Sequence, residues 1–170
     1  MRKRLGVMCS GNGTNFENIV KSCWDHEVVL MVYNNENCGA AQRATKYGIP
    51  SAYFTHKEEA KIINEFKWQK VDYIILAGWM RILSEGFIEA FPNRIINVHP
   101  SLLPKHKGLH AVEQAIHSKD KVTGCTVHYV NNELDGGEII QQAKVPIFDT
   151  DNTEILTKRI QREEYRILPE

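Results

Sequence analysis

The sequence predicts an α/β protein with a mainly parallel sheet, helices on both faces and an antiparallel addition at the C-terminal end. Two observations carry this expectation. Over the first hundred residues, short and nearly continuous apolar runs alternate with segments of helical spacing, the pattern of strands buried on both faces by crossover helices. Beyond Gly124, two strand-like runs are joined by a turn rich in Asn and Gly, the pattern of an antiparallel pair. At 170 residues the chain is expected to form a single domain over residues 1–170, with an N-terminal half of about 1–99 and a C-terminal half of about 100–170.

In order along the chain, Leu5 to Cys9 reads as a strand, and Ser10-Gly11-Asn12-Gly13 as the tight loop that ends it. Phe16, Ile19, Val20 and Cys23 follow at helical spacing. Val28 to Tyr33 is the next strand and Gly39 to Tyr47 an Ala-rich helix, closed by Gly48-Ile49-Pro50. Ala52 to Phe54 predicts a short strand. Glu58 to Trp68 predicts a third helix, with Ala60, Ile63, Phe66 and Trp68 as its apolar residues. Tyr73 to Ala77 and Arg94 to His99 are further buried strands, separated by an amphipathic helix from Ser84 to Phe91 with Ser84 as its cap. After the Pro100 to Gly108 loop, Ala111 to His117 reads as a short helix. Gly124 to Val130 alternates as a half-buried strand would, and Glu138 to Val145 is its partner across the Asn131 to Gly137 turn. Thr153 to Leu168 is a charged terminal helix.

Composition narrows the partners. Lys plus Arg is 21 and Asp plus Glu is 21, so the formal net charge is zero. A grip on nucleic acid or an anionic membrane would show as a basic excess, so small molecules are the expected partners. With 42% hydrophobic and 25% charged residues, a disordered or collagen-like chain is excluded. No run approaches the ~18 apolar residues of a membrane span, and Leu5 to Cys9 is too short for a signal-peptide core. Cys9, Cys23, Cys38 and Cys125 have no paired spacing, which points to a reducing, cytoplasmic setting.

Four constellations could carry chemistry. Gly11, Asn12, Gly13, Thr14 and Asn15 lie between a strand and a helix, where two glycines let the backbone approach a ligand and the helix start attracts an anion. Phe16 occupies the place of the third dinucleotide-fingerprint Gly, and Asn34-Asn35 stand where an acidic residue would be needed, so a phosphate monoester suits the loop better than a dinucleotide. A plain Gly-rich turn with a Thr/Asn cap is the structural alternative. Asn97 and His99, two apart on a strand, face one side with Val98 turned into the core, and present an amide donor and an imidazole to one point. Such a pair suits an oxyanion, and a protonated His can also return a proton to a leaving group. Glu133-Leu134-Asp135-Gly136-Gly137 is first of all a turn. Near His99, however, the Asp135 carboxylate would fix the imidazole's tautomer and favour its charged form. Met80, Arg81, Ile82 and Leu83, beyond a parallel strand, could wall a flat heteroaromatic ligand. His106 and His110 are separated by Gly108 and do not make a helical metal pair. His26, His56 and His117 read as solvated surface, and His128 could face either side of its strand.

Taken together, Ser10 to Asn15, Met80 to Leu83, the Asn97-Val98-His99-Pro100-Ser101-Leu102-Leu103-Pro104 stretch, Gly108-Leu109-His110-Ala111 and Leu134-Asp135-Gly136-Gly137 resemble the phosphoribosylglycinamide formyltransferases, within the folate-dependent formyltransferase family. The likeness runs nearly from end to end. It implies a Rossmann-like formyltransferase fold. It also implies a reaction in which the amine of 5'-phosphoribosylglycinamide attacks the formyl carbon of 10-formyltetrahydrofolate, giving a tetrahedral intermediate, in purine biosynthesis. By match of motif, Asn97 and His99 would stabilise the oxyanion and move protons, with Asp135 tuning His99. Gly11 to Asn15 would hold the ribotide phosphate and Glu164 the ribose. Met80 to Leu83, with Asn131, Asn132, Glu133 and Leu134, would line the folate pocket. No metal and no covalent enzyme intermediate is implied, no nucleic acid or membrane is expected as a partner, and the chain would act as a monomer or homodimer. Two departures stand out: Lys57 and Glu58 where the family often places an Arg against the folate tail, and an end at Leu168-Pro169 where members commonly continue. The alternatives are a catalytically weak or silent phosphate-binding Rossmann-like module, and a related formyltransferase with another amine substrate.

Overall fold

The computed structural model describes residues 1–169. Its elements are β1 (Arg4–Cys9), α1 (Thr14–Ser22), β2 (Glu27–Tyr33), α2 (Gly39–Lys46), β3 (Ser51–Tyr53), α3 (Glu59–Trp68), β4 (Tyr73–Leu76), α4 (Glu85–Ala90), β5 (Ile95–His99), α5 (Ala111–His117), β6 (Val122–Tyr129), β7 (Ile139–Pro146) and α6 (Thr153–Ile167). Among the described residues the strand order is β3-β2-β1-β4-β5-β6-β7. The expected α/β class, mainly parallel with an antiparallel C-terminal addition, is what is found. The chain divides into two compact units, Met1–Ile96 and Asn97–Glu170.

In the first unit β1 pairs in parallel with β2 on one side and β4 on the other, and β2 pairs in parallel with β3. The chain thus steps outward from β1 to β3 and then crosses back to β4. Right-handed crossovers place the helices of outward and returning connections on opposite faces of the sheet. Accordingly α1 packs on α2, and α3 on α4. Val7, Met8, Met31, Val32 and Ile74 are fully buried between these layers. Gly6 opens a hole for α3, since a Cβ there would sit 2.4 Å from the Phe66 ring. Fully burying such a ring contributes roughly 1.5–3 kcal/mol.

In the second unit β6 and β7 are antiparallel, with Cys125 opposite Ala143 and a register shift between Val127 and His128. A Cβ on Gly124 would lie 1.9 Å from the Ala143 carbonyl oxygen, and one on Gly137 would lie 1.7 Å from that of Tyr129. Only glycine fits either place. Helix α6 lays Leu156, Ile160, Glu164 and Ile167 inward and packs on α5, β6 and β7.

Several local expectations need correction. The buried face of α3 is Ile62 and Phe66, whereas Ala60 is exposed, Ile63 half-buried and Trp68 81% exposed. Four positions separate Ile62 from Phe66, one turn of helix, and the remaining apolar residues fall off that stripe. Strand β6 does not alternate in burial: Thr123 to His128 are all buried, because α6 covers a strand that β7 flanks. Val98 is half-buried rather than in the core, and His26 is half-buried, accepting the Lys3 backbone N–H at Nδ1 (3.3 Å). Helix α1 has no Thr or Asn cap. Its N-cap is Gly13 in the left-handed region.

Candidate active site

Strand order reverses at β1, so the loops after β1 and β4 meet at a switch point, where α/β sheets bind ligands. Two bonds join these loops: the Ser10 N–H donates to the Gly78 carbonyl (3.1 Å), and the Met80 N–H donates to Ser10 Oγ (2.9 Å). The first loop is braced from α2. Gly13, at φ 79, lies so close to α2 that a Cβ would be 2.7 Å from Ala40 Cα, while a Cβ on Gly11 would meet nothing within 4 Å. The Ala40 N–H donates to the Gly11 carbonyl (3.3 Å), and Arg43 Nε donates to that of Asn12 (2.7 Å). Arg43 also pairs with Glu17, whose carboxylate accepts from Tyr47 Oη (2.6 Å). Carbonyls are thereby turned toward α2. The exposed side of the loop is left to backbone at Gly11 and Asn12 and to the first turn of α1, a local positive potential. Beyond β4, Met80, Arg81 and Ile82 are exposed, Ile82 by 80%, whereas Leu83 is buried.

In the second unit the end of β5 and the loop that follows it approach Asp135. Asn97 is half-buried and His99 is buried. His99 Nδ1 lies 3.6 Å from Asp135 Oδ2, within ion-pair range but longer than a direct hydrogen bond. Its other nitrogen donates to the His106 carbonyl (2.8 Å). A carbonyl can only accept, so Nε2 carries a proton. Asp135 sits at φ 50, and its Oδ2 accepts the Gly108 N–H at 2.7 Å. The loop between β5 and α5 is pinned to the β6–β7 pair. Thr126 Oγ1 donates to the Ser101 carbonyl (2.7 Å) and accepts from the Leu103 N–H (3.2 Å), and Gln142 Nε2 donates to the Leu103 carbonyl (3.0 Å). The Asn131–Leu134 turn is exposed, ordered by the Glu133 N–H donating to Asn131 Oδ1 (2.9 Å). Lys107 Nζ pairs with Glu133 Oε1 at 3.3 Å.

His128, which the sequence leaves undecided, belongs to this cluster. It is 2% exposed. Its Nδ1 donates to the Tyr129 carbonyl (2.9 Å), so the neutral ring offers the Nε2 lone pair to Asn97 Nδ2 at 3.5 Å, with Asp135 Oδ1 3.8 Å away. Burial holds this imidazole below the usual histidine range, against the opposing pull of the Tyr129 carbonyl and the Asp135 charge. One signal in the sequence could have found it: Thr126 and His128 are polar and two apart in one strand, the spacing of residues that share a face. Glu164 is buried on the inner side of α6. The Cys125 thiol is pushed up to about 12, first by burial and then by the Glu164 and Glu163 charges. No group of three or more His, Cys, Asp or Glu able to hold a metal occurs among the described residues.

Residues 3–170 match the Formyl transferase family, and the chain belongs to it. It is 40% identical over 181 residues to "Trifunctional purine biosynthetic protein adenosine-3" of Drosophila melanogaster, covering 99% of this chain but only 13% of that protein's length. It is 38% identical over 174 residues to "Phosphoribosylglycinamide formyltransferase" of Escherichia coli K12, covering 96% of this chain and 82% of that protein. The crystal structure of phosphoribosylglycinamide formyltransferase from Anaplasma phagocytophilum superposes with a TM-score of 0.96 at 40% identity, covering 99% of this chain and 84% of that one. No helix among the described residues is long and apolar enough to cross a membrane.

Proposed function

We propose that this chain is a single folate-dependent formyltransferase domain that moves the formyl group of 10-formyltetrahydrofolate to the amine of 5'-phosphoribosylglycinamide in purine biosynthesis. It would work in the cytoplasm on small molecules, as a monomer or homodimer. The observation that carries the reading is the cluster of half-buried Asn97 with His99, Asp135 and His128, in a chain of this family. Attack of the amine on the formyl carbon places negative charge on the formyl oxygen. Asn97 Nδ2 is a neutral donor for it, whose contact to His128 at 3.5 Å is long enough to yield to a better acceptor. His99, whose Nδ1 lies beside Asp135 without a direct hydrogen bond to it, adds a charged donor when it carries a proton there and supplies the proton that the departing folate nitrogen takes up. The proton lost by the amine restores it. The C–N bond to the amine forms as that to the folate nitrogen breaks, with no change of oxidation state. His128 stays neutral, which keeps a second cation from opposing the His99 charge.

Gly11 to Asn15 would hold the ribotide phosphate on backbone N–H groups. Met80, Arg81 and Ile82, exposed beyond β4 over the buried Leu83, would offer the first unit's apolar wall to the folate. The test is formyl transfer itself. Purified protein is mixed with 10-formyltetrahydrofolate and 5'-phosphoribosylglycinamide, and the formylated ribotide is followed by mass spectrometry. Product should form at a rate proportional to enzyme. Binding of both compounds without any product would instead support a silent binding module.

A further inference from the structure

His106 is a non-glycine residue at φ 54 in the loop that follows β5, a backbone region that few non-glycine residues occupy. What holds it is Asp120, whose Oδ2 accepts from His106 Nε2 at 2.7 Å. Both side chains are largely covered, at 13% and 17% exposure. Asp120 is itself anchored. Its N–H donates to the Ala115 carbonyl at the end of α5 (3.3 Å), and the neighbouring Lys121 carbonyl accepts from the Ile147 N–H (2.9 Å). The His106 bond, aided by the Lys105 ammonium 3.6 Å away, holds the Asp120 carboxyl below the usual carboxylate range, so it remains an acceptor at neutral pH. On the other side of the same residue, the His106 carbonyl accepts from His99 Nε2 at 2.8 Å. Ser101 Oγ pins the preceding peptide through the Lys105 carbonyl (2.6 Å).

We propose that His106 and Asp120 are positioning residues for the transfer reaction: their side-chain bond fixes the left-handed turn whose carbonyl orients the His99 ring. The consequence is geometric. With Nε2–H tied to a carbonyl, the ring turns Nδ1 toward Asp135, whereas a relaxed turn would let the imidazole rotate away from that carboxylate. Neither side chain touches substrate. Both act through His99, so this inference rests on the part given to His99 above, and its test keeps the two claims apart.

His106→Asn keeps a residue that tolerates the left-handed region but is too short to reach Asp120. Asp120→Ala removes the acceptor, and Asp120→Asn keeps one in the same place. In His106→Asn and Asp120→Ala, kcat should fall about 10-fold, a part of the roughly 100-fold that a 1 Å misplacement can cost. KM for both substrates should stay within about 2-fold. Asp120→Asn should restore most of the rate. The direct readout is the His99 Hε2 proton by NMR, slow to exchange in the parent and in Asp120→Asn, and lost in the other two. If His106→Asn does not fold, the Asp120→Ala and Asp120→Asn pair makes the same comparison. A protected Hε2 signal in both latch-breaking variants overturns the latch. A lost signal with unchanged kcat also overturns the proposal, and places the failure in the catalytic part assigned to His99.

Discussion

Gly11 and Gly13, two positions apart in the first loop, should respond oppositely to the same added methyl. At Gly13 an alanine meets the Ala40 backbone at 2.7 Å and must adopt φ 79. The conformation costs about 1 kcal/mol and overpacking against a helix another 1–3 kcal/mol, so Gly13→Ala should lose about 2–4 kcal/mol. For a chain of this size that is about 4–16 °C in Tm. At Gly11 nothing lies within 4 Å, and an alanine should leave stability unchanged or raise it by about 0.4–1 kcal/mol through the unfolded state. A bulkier Gly11→Val projects into the space a phosphate would fill. Losing two charge-assisted hydrogen bonds, at about 1.5 kcal/mol each, weakens binding about 100-fold. Gly13→Val is the poorer probe because lost binding and lost packing would coincide. Thermal melts of both alanine variants, and calorimetry of 5'-phosphoribosylglycinamide on Gly11→Val, read out the two effects. Undiminished ribotide affinity in a folded Gly11→Val would refute the phosphate-loop reasoning, and a Gly13→Ala as stable as the parent would refute the packing argument.

Asn97→Ala should lower kcat about 100-fold with smaller changes in KM, since one oxyanion donor is lost; steady-state kinetics showing near-normal turnover would remove Asn97 from the chemistry. His128 should titrate below 6.5 by NMR, and lower still in Asp135→Asn, because the Asp135 charge is one of the influences holding it up. Its sign on stability follows: a group that binds a proton less readily when folded destabilises the fold as pH falls from about 6.5 through its folded value, so Tm should drop over that window less steeply in His128→Gln. A midpoint at or above 6.5 would contradict the burial argument. Gly124→Ala should cost several kcal/mol, or prevent folding, because its Cβ would lie 1.9 Å from the Ala143 oxygen. A circular-dichroism melt matching the parent would show that β6 and β7 can separate there at little cost.

By itself the sequence determined the element order and the fold class, because the signals concerned are local. Continuous apolar runs of five or six residues read as doubly covered strands, and Ser84 read as the α4 cap that it is, accepting the Phe87 N–H at 3.2 Å. Asn97 and His99 were also legible, since a period of two is dictated by strand geometry alone. Tertiary structure decided what depends on neighbours distant in sequence. Thr123 to His128 are all buried because α6 and the 101–103 loop both pack on β6, which no alternation within the strand could announce. Gly13 is required by Ala40, 27 positions along, and not only by its turn. His128 joins Asp135 and Asn97, and His106 grips Asp120, through chain reversals that bring residues 7 to 31 positions apart within hydrogen-bond or ion-pair reach. A side chain's burial and partners belong to the packed molecule, whereas its strand or helix period belongs to the chain.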